Sequence, residues 1–403
     1  MIILKNKRLL VTAGLMSVLM AVSTAANAIP AFARKYQTTC NTCHTAYPKL
    51  NATGRNFKEQ GYAMSRDDVK GMEKISDYLN WDEYIPLSGA IVLRPYDHES
   101  SGNSELRVLH EVEILSGGRA YKDVATWFEI EAEDDEDEFN MALRSGFVTY
   151  VYNQALNFQG GYGGMLFADP YDTYADMRRL TASHNPITNL RFGEADNGGR
   201  FRDSRQQVSL YGRVLKDKFF YILGYGGLAS DTVADKSRSY YGRLAFDIMP
   251  DIEIGGIAIS GSCEVGTDNN GGAGCGAGVK DRDFTRYGID TQMDINDLRI
   301  TGTYVNATDD VDGAASGDES NAAWYLAGIY SMHKSGRTTW VPLLRLDGYE
   351  ENDGKDSYSS ATVNIGYYFT QNIKGFIEYS NVYDAPTGAD EISRSTVQFE
   401  AAF

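Results

Sequence analysis

The residues with the most specific chemistry are five in a row, Cys40-Asn41-Thr42-Cys43-His44. Two cysteines three apart, with a histidine directly after the second, form the spacing that attaches a c-type haem. The cysteines reach the two vinyl groups on one edge of the macrocycle, which sets the histidine under the iron as proximal ligand. Cys40 and Cys43 therefore read as thioether anchors, and His44 as the axial ligand and the redox-active, catalytic position. A redox cysteine pair would want a βαβ context, and half a zinc site would want a second C-x-x-C. The sequence has neither, and since the motif occurs once, one covalently bound haem is expected.

The sixth position on the iron has several candidates. Met64, 20 residues after His44, is preferred, with His98, another methionine such as Met72, or an open position as alternatives. Thioether ligation would raise the reduction potential. His184 falls in an expected loop, while His110 shares a face with Leu106, Val108 and Val112 and is expected towards lipid. Arg34, Arg55 and Lys58 flank the motif as candidate partners of the haem propionates. The stretch "EIEAEDDEDEF" places Glu133, Asp134, Asp135, Glu136, Asp137 and Glu138 at a hairpin tip. Carboxylates are hard oxygen ligands suited to a passing cation; a solvated tip that discourages aggregation is the plainer reading. Cys263 and Cys275 bracket a Gly/Asn-rich loop and are expected to form a disulfide in an oxidising compartment.

That compartment follows from the first 28 residues. Lys5, Lys7 and Arg8 precede an apolar run and "ANA" (26–28), the pattern of a secretory signal. Its removal leaves 35 basic against 55 acidic residues, a net charge of −20. Such a balance excludes nucleic acid as a partner, because phosphate binding needs the opposite sign. It favours the approach of cations. Three segments are expected: 1–28 signal, 29–80 haem segment and 81–403 barrel. The haem segment is too short and too poor in large apolar groups to bury a haem by itself. It needs walls.

The walls are the rest of the chain. From about residue 85 the period is two, as in half-buried strands. Val397, Phe399, Ala401 and Phe403 alternate with Thr396, Gln398, Glu400 and Ala402. The pattern predicts strands at 85–95, 105–115, 122–133, 139–152, 155–166, 205–215, 218–228, 238–248, 251–261, 283–293, 297–308, 320–330, 337–349, 358–369, 372–383 and 392–403. Short connections such as 216–217, 249–250, 295–296 and 371–372 interleave with long polar ones such as 262–282 and 308–319. That is the rhythm of an outer-membrane β-barrel, with short periplasmic turns and long external loops. The expected fold is all-β: about sixteen antiparallel strands in the outer membrane, both termini periplasmic, and the haem segment plugging the pore. Arg94, Glu111, Glu113, Arg243, Asp247, Arg286, Asp290, Arg345, Asp347, Lys374 and Glu378 are expected to point into the lumen. The aromatic ending at Phe403 resembles the assembly signal of such barrels. The longest connection, 167–204, could fold into the lumen or shield the haem.

Residues 29–62, "IPAFARKYQTTCNTCHTAYPKLNATGRNFKEQGY", resemble the signature of fused outer-membrane cytochrome–porins of iron-oxidising bacteria. The matching positions are Pro30, Phe32-Ala33-Arg34, the C-x-x-C-H, Pro48, Leu50-Asn51, Gly54-Arg55, Phe57-Lys58 and Gly61-Tyr62. The resemblance implies one c-haem inside a barrel of about sixteen strands. It also implies oxidation of extracellular Fe(II), with a periplasmic c-type cytochrome as electron acceptor. A conduit for another donor, or a passive porin with a haem-bearing plug, are the competing functions.

Overall fold

The computed structural model describes residues 31–65, 68, 72–74, 80–82, 87–135, 138–175, 178–189, 201–202, 204–227, 238–263, 282–310, 318–351, 354–386 and 388–403. The signal segment, Met72's side chain and the Cys263–Cys275 pairing lie outside the described residues and side chains.

Alternation builds the barrel. The strands are β1 (Leu87–Glu99), β2 (Ser104–Tyr121), β3 (Val124–Asp135), β4 (Glu138–Asn153), β5 (Leu156–Gly163), β6 (Arg205–Val214), β7 (Phe219–Gly226) and β8 (Arg238–Met249). They continue as β9 (Ile252–Cys263), β10 (Arg282–Ile295), β11 (Leu298–Asp310), β12 (Asp318–Tyr330), β13 (Trp340–Glu351), β14 (Asp356–Tyr368), β15 (Ile373–Asp384) and β16 (Ser393–Ala402). Each pairs antiparallel with its sequence neighbours, and β16 pairs with β1 to close the cylinder. At the seam the Gly89 and Phe403 backbones exchange both hydrogen bonds at 2.9 Å. A Cβ on Gly89 would stand 2.7 Å from the Phe403 ring, which would have to swing aside to admit it.

The radial order inverts that of a soluble protein. On β8, Tyr240, Leu244, Phe246 and Ile248 face outward, Leu244 being 50% exposed. Ser239, Tyr241, Arg243, Ala245 and Asp247 face inward, Arg243 being 1% exposed. An apolar outer belt around a polar interior is what a bilayer selects, because lipid supplies no partner for a charge. Arg94, Arg243, Asp247, Arg286, Asp290, Arg345, Asp347, Lys374 and Glu378 are all buried as expected of lumen residues.

Every even-to-odd connection is a short turn or a small ribbon, and these lie at one end of the barrel. Asn296 sits at φ 53° in the β10–β11 turn, a conformation its short side chain tolerates. The other end is not uniformly long-looped: residues 100–103 are also a tight connection, and β2 and β4 extend to 18 and 16 residues. The expected strand 337–349 starts instead at Trp340, because His333–Lys334 and Arg337–Thr338 pair as a ribbon of their own.

Ile289, 66% exposed near the middle of β10, tests the belt. Ile289→Arg should cost ~2–4 kcal/mol of folding free energy in lipid vesicles. A denaturant titration giving wild-type stability would contradict an outward, lipid-facing belt.

Candidate functional site

The haem-type motif is built by one tight turn braced from behind. Helix α1 (Ala31–Tyr36) leads into a single 3-10 turn at Cys40–Thr42, where the Cys43 N–H donates to the Cys40 carbonyl at 3.1 Å. A ribbon pairing His44–Ala46 with Lys49–Leu50 returns the chain to helix α2 (Ala52–Glu59). Asn51 joins these pieces. Its Oδ1 caps α2 by accepting from the Gly54 N–H at 3.0 Å. Its Nδ2 donates to the Asn41 and Thr42 carbonyls, both at 3.2 Å, and its own N–H donates to the Cys43 carbonyl at 2.9 Å. Gly54 lets α2 press on the turn: a Cβ there would meet the Cys43 carbonyl oxygen at 2.1 Å.

Cys40, Cys43 and His44 line one internal cavity of about 620 Å³, within the range of cofactor sites. Neither cysteine is paired in a disulfide. Burial pushes Cys40 up to about 11 and raises Cys43 as well. That is the reverse of the lowered pKa a reactive redox thiol shows. The His44 Nδ1 lies 3.1 Å from the Pro48 carbonyl. A carbonyl only accepts, so Nδ1 carries the hydrogen of the neutral ring and Nε2 keeps its lone pair. Desolvation by burial lowers His44 to about 4, so the ring is neutral at ordinary pH. A neutral imidazole with a bare Nε2 is a metal ligand in waiting.

Aromatic rings wall the cavity. Phe32 meets Phe57 edge-on at 4.9 Å and stacks on Tyr62 at 5.5 Å, and Tyr62 stacks on Trp127 of β3 at 5.1 Å. The apolar sides, two thiols and one neutral histidine are the donor set and surface that a covalently attached macrocycle requires. The residues fit a c-type haem.

The segment is fixed to lumen residues from many directions. Arg55 Nη1 lies 2.9 Å from Asp247 Oδ2, and Arg213 Nη2 lies 2.8 Å from Glu59 Oε1. Lys58 donates to the Phe167 and Asp169 carbonyls, both at 2.8 Å, and Arg299 donates to the Leu50 carbonyl at 2.8 Å. At the short-turn end the Cys40 N–H donates to Gln371 Oε1 at 3.0 Å and Asn41 Nδ2 to the Gly336 carbonyl at 3.2 Å. The motif therefore stands beside that rim of the barrel.

The expected site residues separate. Met64 lines the same cavity as His44, and so does His184, whereas His98 ends β1 beside Tyr96 and does not line it. Arg34 and Arg55 do not line it either. Arg34 donates to the Leu87 carbonyl at 2.6 Å, and Arg55 is drawn to Asp247 by a buried carboxylate that only the folded barrel supplies. His110 is 2% exposed rather than lipid-facing, because a shift in the β1–β2 register sets it against Asp134, to which its Nδ1 is hydrogen-bonded. Of the acidic tip, Glu133 lines the cavity, Asp134 bonds His110 and lies 3.4 Å from Arg107, and Glu138 is exposed. The side chains of Asp135, Glu136 and Asp137 lie outside the described residues.

Two groups meet on the cavity wall in combinations that the sequence reading did not assemble. Glu111, Glu113, Glu129, Glu131 and Glu133 form a carboxylate ladder on β2 and β3, with Glu111 opposite Glu133 and Glu113 opposite Glu131. Oxygens of Glu111, Glu113 and Glu131 come within 4.8 Å of one another. Like charges directly across a strand pair oppose folding, which is the signal that could have marked them; Arg144 offsets part of it, 2.6 Å from Glu131. The second group is Arg178 and Arg179, carried into the lumen by the long connection after β5.

The closed sixteen-strand cylinder, with its apolar belt and charged interior, is the architecture of an outer-membrane porin. No protein-family model matches the sequence, and no curated protein matches it. Solved structures do. The anion-selective porin from Comamonas acidovorans aligns with a TM-score of 0.57 at 14% identity, covering 79% of this chain and 98% of that one. In-vitro folded OmpT, an outer membrane protein of Vibrio cholerae, gives 0.57 at 15% identity, covering 81% and 100%. OprB of Pseudomonas putida gives 0.55 at 9% identity, covering 79% and 93%. The likeness is one of fold. Residues 87–403 are 317 of 403, so a share of 79% is the size of the barrel alone.

Gly54→Ala should displace α2 from the motif turn, since a backbone carbonyl cannot move aside as a flexible side chain can. The expected result is faster proteolysis within 31–65 while the barrel keeps its resistance. Equal digestion of both proteins would show that the close approach is unnecessary.

Proposed function

We propose that this chain is an outer-membrane electron conduit that oxidises extracellular Fe(II) and delivers the electron to a periplasmic c-type cytochrome. The observation that carries the reading is the gathering of Cys40, Cys43 and a neutral His44 on a cofactor-sized cavity inside a porin-type barrel. In this reading residues 31–65 plug the pore, both termini are periplasmic, and a single haem would be held by Cys40, Cys43 and His44. Met64, which lines the same cavity, would be a further ligand to it. When bound, the haem supplies a one-electron Fe(III)/Fe(II) couple.

The chain's own residues supply access and exclusion. Fe(II), as substrate, is drawn by the net negative charge and by the acidic stretch 133–138 where β3 meets β4, whose carboxylates are hard oxygen donors that hold it only transiently. Lumen ion pairs and the packed N-terminal segment keep ions from following the electron inward. Since oxidised iron is insoluble near neutral pH, moving the electron and leaving the metal outside spares the cell from encrustation. The rim beside Cys40 and Asn41, framed by Gly336 and Gln371, is the periplasmic side in this reading.

Anaerobic stopped-flow mixing of oxidised protein with Fe(II) near neutral pH tests the proposal. The reduced α-band should appear rapidly, and should not appear in His44→Ala. A protein that dithionite reduces but Fe(II) does not would exclude iron as the donor. Ion conductance in liposomes comparable to that of an open porin would exclude the plug.

A further inference from the structure

Several buried arginines that cross-link the lumen are matched to a carboxylate, as with Arg243 and Asp290 at 2.7 Å, Arg286 and Asp309 at 2.7 Å, and Arg345 and Asp347 at 2.9 Å. Arg178 and Arg179 are different. Both line the cavity that holds Cys40, Cys43 and His44. Among the described residues, neither guanidinium has a carboxylate within 4.0 Å. Arg178 bonds Asp172 only through its backbone N–H, at 2.7 Å, and holds its guanidinium 5.9 Å from the Trp127 ring centre. Arg179 uses one donor, Nε, on the Thr181 carbonyl at 3.1 Å. Arginine stays charged at every working pH; the carboxylates of Asp172 and Glu129 support Arg178 from a distance, so its guanidinium donors stay available to a ligand in the cavity.

The loop that carries them is pinned on both sides. Before them, Asp169 accepts from the Tyr171 and Thr173 N–H groups at 3.2 and 2.9 Å and is itself 3.3 Å from Arg243. After them, the Ala182 and Ser183 N–H groups donate to Glu378 at 3.0 and 2.8 Å. Two guanidinium groups are thus presented into the cavity on a preorganised support, which lowers the ordering cost of binding. The β2–β3 side of the same cavity carries the glutamate ladder, which repels an anion. A ligand with acidic groups has one favourable orientation.

We propose that Arg178 and Arg179 are the anion clamp of this cavity, binding the two carboxylates of the group attached at Cys40 and Cys43. Those carboxylates are the haem propionates, so the inference rests on the proposed function. Arginine suits this task because its planar fork matches a carboxylate bidentately. The clamp replaces Arg34 and Arg55 in the role expected from their proximity in sequence.

The test uses the full-length haem protein in detergent, with Arg178→Gln, Arg179→Gln and the conservative Arg178→Lys. Covalent haem per chain should be unchanged in all three. The midpoint potential should fall in each glutamine variant, because a lost cation favours the ferric state. The expected size is about a tenfold change in the reduction equilibrium constant, 59 mV for a one-electron couple. Wild type should keep a flat potential between about pH 6 and 8 with its propionates ionised. In the glutamine variants a propionate should titrate there, so the potential should fall as pH rises, and lysine should restore most of the wild-type profile. Unchanged potential and pH profile with haem retained would overturn the clamp and leave the functional proposal standing. A wild-type potential that moves with added inorganic phosphate would assign the arginines to a free anion and overturn their role towards the propionates. Wild-type protein without haem would overturn both.

Discussion

The interaction on which the interior depends is the one Arg213 makes. Its guanidinium, fully buried, lies 2.8 Å from Glu59 of the N-terminal segment, 3.3 Å from Asp247 and 3.4 Å from Glu253 of the wall. From there the charges run on without a break. Asp247 holds Arg55 at 2.9 Å, Glu253 holds Arg243 at 2.8 Å, and Arg243 reaches Asp290 and the loop residue Asp169. One network therefore joins segment, wall and inserted loop. A sixteen-strand barrel leaves a lumen too wide for its own side chains to fill, and this network lets the chain fill it with its own polar pieces. Buried pairs of this kind add little net stability over apolar packing, but losing one partner is severe, because it strands a charge. They specify where the segment sits more than how tightly the barrel holds.

The barrel was legible because lipid imposes a local rule. Outward residues must be apolar and every second residue faces outward, so Leu244, Phe246 and Ile248 announce their strand without reference to any distant residue. The tight turns at 216–217 and 296 were legible for the same reason. The turn that gathers Cys40, Cys43 and His44 was also local, because all three lie within five consecutive residues. What failed was anything decided across the fold. Arg34 and Arg55 neighbour the motif in sequence, yet Asp247, 192 residues from Arg55, decides where that side chain goes. His110 obeyed strand alternation on paper and is diverted by an irregular β1–β2 register towards Asp134. Arg178 and Arg179 sit in a connection whose path into the lumen depends on Arg243 and Glu378, residues of strands far along the chain.

Positions that carry the resemblance in residues 29–62 acquire physical tasks in this arrangement. Asn51 caps a helix and braces the cysteine turn, Gly54 permits their contact, Lys58 ties α2 to the inserted loop, and Phe57 and Tyr62 wall the cavity. In the proposed reading these contacts serve to hold a cofactor rigidly beside the short-turn rim. That is the structural sense in which a porin-type scaffold is compatible with passing electrons rather than solutes.

The central claim is that the cofactor is a haem joined to this chain. Intact-mass spectrometry of protein purified from outer membranes, with a pyridine haemochromogen spectrum of the same sample, tests it most directly. The account predicts one haem per chain held by thioether bonds to both Cys40 and Cys43, and loss of the two-bond spectrum in Cys40→Ser. A chain of unmodified mass with two free thiols would contradict it.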